Sequence, residues 1–129
     1  MRELRDLRHP ALAAYERHPV LAVYDGSACS KHALAYAAGL ARRSDGWLVV
    51  VRVWRSGARQ AERMRRLRAE LAGIDLSGLD IEIVARIGVP VRELVRATGE
   101  RRADALVIGT SRRLVRVVRR VTCPAVVVP

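Results

Sequence analysis

Five short apolar runs alternate with four stretches at helical spacing, and this order restricts the chain to very few folds. Val20 to Tyr24 is an apolar run that ends in Asp25-Gly26-Ser27, a turn whose last residue can cap a helix reaching about Arg43. That helix carries Leu34, Ala37, Leu40 and Ala41 on one face. Trp47 to Val53 is almost continuously apolar, as a strand covered on both faces should be, and Ala58 to Ala72 then returns to helical spacing with Ala61, Met64, Leu67 and Leu71. Leu79, Ile81, Ile83 and Ala85 alternate with Asp80 and Glu82, which predicts a third strand with one wetter side at a sheet edge. Gly88 and Pro90 open another helix, and Ala105 to Ile108 and Ala125 to Val128 are the last two runs. A β-α-β-α-β-α-β-α-β order predicts a doubly wound α/β domain, with a single parallel five-stranded sheet and a ligand crevice at the strands' carboxyl ends. Asp25 and Gly109 both fall at such ends.

Ahead of this unit, Leu4, Leu7, Leu12 and Tyr15 lie near one face of a possible helix over Arg2 to Arg17, ended by Pro19. Residues 1–18 are therefore expected to form an added N-terminal helix, and residues 19–129 the main domain. With 129 residues the chain is long enough to bury a core without disulfides or metals. Its apolar runs fall far short of the roughly 18 residues that span a bilayer, and the charged start MRELRDLRHP does not resemble a signal peptide, so the expected location is cytoplasmic, with no membrane partner. Cys29 and Cys123 are far apart and lack zinc-finger spacing, and His9, His18 and His32 have no nucleophile or metal partner in sequence. No catalytic set and no metal site are expected.

After Gly109, the cap-forming Thr110 and Ser111 should lead into a helix through Val121, with Leu114, Val117, Val118 and Val121 inward and Arg112, Arg113, Arg116, Arg119 and Arg120 outward. Arg112 and Arg113 in a first turn oppose the helix dipole, at a cost of about 0.3 to 1 kcal/mol each that a bound anion would reverse. The alternative is a basic face that stays solvated. The formal net charge of +11 points in the same two directions. Lys31 is the single lysine beside 23 arginines among the 24 basic residues, a bias that a GC-rich genome produces without any binding role. Without an aromatic stacking platform, nucleic acid is not the expected partner.

Residues 19–129 resemble the universal stress protein family. The likeness rests on Asp25-Gly26-Ser27 after an apolar strand, on Ala33-Leu34, Ala37 and Leu40-Ala41, on Gly88-Val89-Pro90 with Leu94, on Ala103 to Ser111, and on Cys123-Pro124-Ala125-Val126-Val127-Val128-Pro129. The resemblance implies a Rossmann-like sheet, of the adenine nucleotide alpha hydrolase-like kind, in strand order 3-2-1-4-5, and a homodimer through the last strand, here Ala125, Val126, Val127 and Val128. An unprotected apolar edge independently invites such a partner.

ATP-binding members resemble one another in a motif of Gly, two residues, Gly, nine residues, then Gly with Ser or Thr. This chain keeps only its first glycine, Gly109: Arg112 stands in the second position, and Thr122 and Cys123 stand in the last two. The motif is degenerate, and the remaining residues before Ala125 do not accommodate both its loop and a helix. Asp25 matches the family position at the adenine or ribose end, and Val53 lies beside it. The candidate nucleotide site is therefore Asp25, Val53, Gly109, Thr110, Ser111, Arg112 and Arg113, with ATP or AMP as possible ligand and with the arginines either replacing the glycine contacts or blocking them. Asp25 serves equally well as a turn residue. The leading expectation is a small dimeric universal stress protein with a binding and signalling role in the stress response, and with nucleotide binding weak, altered or lost. Two alternatives are an arginine surface for nucleic acid or an acidic protein, and a thiol switch at Cys29, placed in a helix's first turn near Lys31.

Overall fold

The computed structural model describes residues 3–7, 17–111 and 113–129. Its elements in chain order are β1 (Glu3–Leu7), β2 (Val20–Val23), α1 (Ala28–Arg42), β3 (Trp47–Trp54), α2 (Gln60–Leu71), β4 (Asp80–Ile87), α3 (Pro90–Arg101), β5 (Ala105–Gly109), a 3-10 helix (Val115–Arg119) and β6 (Ala125–Val128). All six strands form one sheet in the order β1-β4-β3-β2-β5-β6. From Val20 onward the five strands are parallel, and counted from β2 they read 3-2-1-4-5, as expected.

Both sheet faces are dry. Ala22, Val50, Ile83 and Val107 meet Ala33, Leu34, Ala37, Met64 and Leu67 of α1 and α2 on one side. On the other, Leu21, Val49, Val51, Val84 and Leu106 meet Leu94 and Ala97 of α3 and Val117. Burial on both faces accounts for the unbroken apolar character of β2 and β3, which have no solvent side to supply polar residues.

The N-terminal helix is corrected over Glu3–Leu7, which is a strand antiparallel to β4; residues 8–16 lie outside the described residues. An unpaired edge of β4 would leave a row of backbone donors and acceptors open, and β1 satisfies them. This also moves β4 from the edge to the interior of the sheet. Its polar positions then face protein: Glu82 is bonded by Arg101 at 2.9 Å, and Arg86 donates to Glu93 at 3.0 Å and Glu100 at 2.7 Å, all under α3. Alternation in sequence marked Glu82 as wet because it registers polarity and not partners.

A second correction concerns the segment after Ser111. It forms a five-residue 3-10 helix and not the expected α-helix through Val121. A right-handed crossover must carry the chain from the carboxyl end of β5 back to the amino end of β6, and a 3-10 helix advances about 2.0 Å per residue against about 1.5 Å for an α-helix, so it makes the return with fewer residues. Leu114 and Val117, three apart, share its inner side, and no regular all-arginine helical face forms.

Candidate functional site

The crevice at the carboxyl ends of the strands begins with the turn after β2. Asp25 accepts a 2.9 Å bond from the Ser27 amide on Oδ1, and Ser27 caps α1 by accepting from the Ser30 amide at 3.1 Å. Gly26 between them has φ 86°, a left-handed conformation that a side chain strains. Burial opposes ionisation of Asp25, but bonds from the Ser27 side chain and backbone and from Ser30, with the nearby Arg52 charge, outweigh it and hold the carboxyl below its ordinary range. Asp25 is therefore an ionised acceptor fixed by its turn, so turn support and ligand contact are compatible roles for one side chain.

Beside this turn opens a cavity of about 670 Å³. Val23 and Val53 from β2 and β3, Val89, Pro90, Val91 and Leu94 from the start of α3, and Leu114 give it an apolar wall. Four arginines, Arg52, Arg55, Arg113 and Arg116, together with Ser111 and Asp25, supply its polar lining. No side chain caps the amino end of α3, so the positive end of that helix dipole faces the cavity through Pro90 and Val91.

The structure brings together four residues of the candidate set and separates the others. Asp25, Val53, Ser111 and Arg113 line the cavity. Gly109 does not: it lies against the first turn of α1, where a Cβ atom would come within 2.6 Å of the Cys29 carbonyl carbon. Thr110 turns to β6, its amide donating to the Val128 carbonyl at 2.9 Å and its hydroxyl at 3.3 Å. Arg112 lies outside the described residues. Ser111 keeps its capping role by accepting from the Leu114 amide at 3.4 Å.

Arg52, Arg55 and Arg116 also line the cavity and were not in the candidate set. For Arg55 the signal was present: an arginine just beyond an almost fully apolar strand falls at its carboxyl end, where ligands bind in such sheets; Arg116 lies in the 3-10 helix, and no local pattern aimed it at the cavity. Cys29 is half-buried, and burial pushes the Cys123 thiol above its usual range. Among the described residues no cluster of three metal-ligating side chains forms, and no helix is long and apolar enough to cross a membrane.

Comparison with known proteins places this arrangement. The sequence profile of the Universal stress protein family matches residues 16–129. Among solved structures, the universal stress protein from Archaeoglobus fulgidus in complex with dAMP superposes with a TM-score of 0.77 at 22% identity, over 89% of this chain and 100% of that one. A universal stress protein in complex with cAMP gives 0.69 at 26% identity, over 87% of this chain and 96% of that one. A protein of the same family from Burkholderia pseudomallei gives 0.63 at 26% identity, over 88% and 97%. No curated protein matches the chain.

Proposed function

Because this chain belongs to the universal stress protein family, we propose that its 670 Å³ cavity binds an adenine nucleotide whose phosphates are held by arginines in place of the family's glycine cradle. The observation that carries this reading is the junction of an ionised Asp25, an apolar wall and four arginines, two from the end of β3 and two from the segment after β5. The volume suits a small organic ligand. Apolar side chains from Val53, Val89 and Leu94 can cover a base, Asp25 can accept a ribose hydroxyl, and Arg113 and Arg116 can form charge-assisted bonds to phosphate. The related protein bound to cAMP supports an adenine ligand. The role is one of binding and signalling, not of efficient catalysis.

Thermal unfolding with AMP, ADP, ATP and cyclic AMP, each with and without magnesium, tests the site. A ligand present at a hundred times its dissociation constant adds about 2.7 kcal/mol, which raises the midpoint of a domain this size by several degrees. Asp25→Asn and Arg113→Ala are each expected to weaken the best ligand by about tenfold or more, the consequence of losing one charged hydrogen bond. No shift with any nucleotide overturns the reading.

The protein is further proposed to act as a homodimer through β6. β1 covers one edge of the sheet, whereas β6 pairs only with β5 among the described strands and presents Val127, 43% exposed, at the other edge. An apolar free edge of this kind is stabilised by a two-fold copy of itself. Sedimentation is expected to show a dimer that Val127→Arg converts to a monomer. A wild-type monomer at micromolar concentration removes the idea.

A further inference from the structure

A second cleft of about 270 Å³ lies across the Asp25–Arg52 crest from the cavity, on the α2 side of the same sheet end. Arg52, Arg63 and Arg66 enter it, with Trp54, Tyr24 and Glu70 among its walls. Arg52 and Arg63 both lie over the ring of Trp54, with guanidinium carbons 5.7 and 5.4 Å from its centroid. Stacking on one indole holds two like charges near each other in a defined place. Arg63 is held further by donating to the Ser56 carbonyl at 3.0 Å. None of the three arginines forms a salt bridge with a described residue. Glu70 is already engaged, since one of its oxygens accepts the Tyr24 hydroxyl at 2.8 Å.

This arrangement has a specific chemical complement. Three guanidinium groups, two of them held over Trp54, outnumber the carboxylates of Glu70 and Asp25, and an anion with several oxygens would relieve the repulsion between them through forked, charge-assisted bonds. The cleft is too small for a second nucleoside but suits a phosphoryl or pyrophosphoryl group. We propose that Arg52 and Arg63, held over Trp54, form with Arg66 a phosphoryl-binding subsite that adjoins the nucleotide cavity and shares only Arg52 with its arginines. Because the two hollows share Tyr24, Asp25 and Arg52, the group can arrive either as a free ion or as an additional phosphate on the nucleotide. Only the latter rests on the nucleotide reading above.

Calorimetric titration with inorganic pyrophosphate tests the subsite directly. The wild-type chain is expected to bind it, and R63A/R66A to lose about tenfold in affinity, as removal of charge-assisted bonds implies. Arg65→Ala, which removes an exposed charge from α2 outside the cleft, should leave the affinity unchanged. Arg66→Gln, a single change at an exposed position, reports the same loss in part without disturbing the Trp54 stack. Parallel titrations with AMP and adenosine 3′,5′-bisphosphate identify the source. If the bisphosphate binds more tightly than AMP and R63A/R66A removes only that advantage, the phosphoryl group comes on the nucleotide. If pyrophosphate binds at the arginines and the bisphosphate gains nothing, the ligand is the free ion. Absence of pyrophosphate binding, or an equal loss in Arg65→Ala, overturns the subsite whether or not AMP binds. Failure of every adenine nucleotide overturns the nucleotide reading and leaves the pyrophosphate result to decide the cleft.

Discussion

Replacing Arg86 by alanine is expected to destabilise the fold by about 3 to 5 kcal/mol, the typical result of removing one member of a buried ion pair. The side chains of Arg86 and Glu93 are only 6% and 4% exposed, and they meet at 3.0 Å beneath α3. Burial by itself disfavours the arginine's charge, but bonds to Glu100 and Glu93 outweigh it and push its pKa up. Without Arg86, Glu93 keeps a carboxylate in the core with Arg96, a half-exposed residue at 3.2 Å, as its remaining ion-pair partner among the described residues. Urea denaturation reads the loss as a lower midpoint. The double variant R86M/E93L should recover most of it, since apolar residues of similar volume often replace a buried pair without net cost. A loss under about 1 kcal/mol for Arg86→Ala, the range of a solvated surface pair, would contradict the buried arrangement.

Gly109→Ala is expected to cost about 1 to 3 kcal/mol, as overpacking of a tight contact does. The added methyl would lie 2.6 Å from the carbonyl carbon and 2.8 Å from the carbonyl oxygen of Cys29. These are backbone atoms of α1, so no rotamer change makes room, and either α1 or β5 must shift. The same experiment separates two reasons for a glycine at this place. If Gly109 serves close packing, the variant melts earlier but keeps its nucleotide-dependent rise in midpoint. Unchanged stability with that rise abolished would instead return Gly109 to phosphate contact.

Much of the fold was legible in local sequence. Strands covered on both faces have to be apolar almost throughout, and β2 and β3 are. Ser27 announced α1 because a hydroxyl just before a helical pattern satisfies a free amide, and it does so here. Leu4 and Leu7 were read at helical spacing, yet the segment that carries them is a strand, because an open edge of β4 supplied backbone partners that no local pattern reveals. The same blindness applied to Glu82, whose polarity suggested water while α3, distant in sequence, supplied Arg101.

The candidate site divides along the same line. By itself the sequence determined the order of strands and helices, the turn at Asp25, and the excess of arginine. These depend on residue type and short-range spacing, which act within a few residues of chain. Only the tertiary structure decided that Asp25, Val53, Ser111 and Arg113 share one cavity with Arg52, Arg55 and Arg116, while Gly109 packs on α1 and Thr110 bonds to β6. It also decided that the crossover is a 3-10 helix and that Trp54 gathers Arg52 and Arg63. Parallel sheets assemble their crevices from the ends of strands that are distant in sequence, so a residue's direction at such an end is set by the register and packing of its neighbours, neither of which is encoded locally.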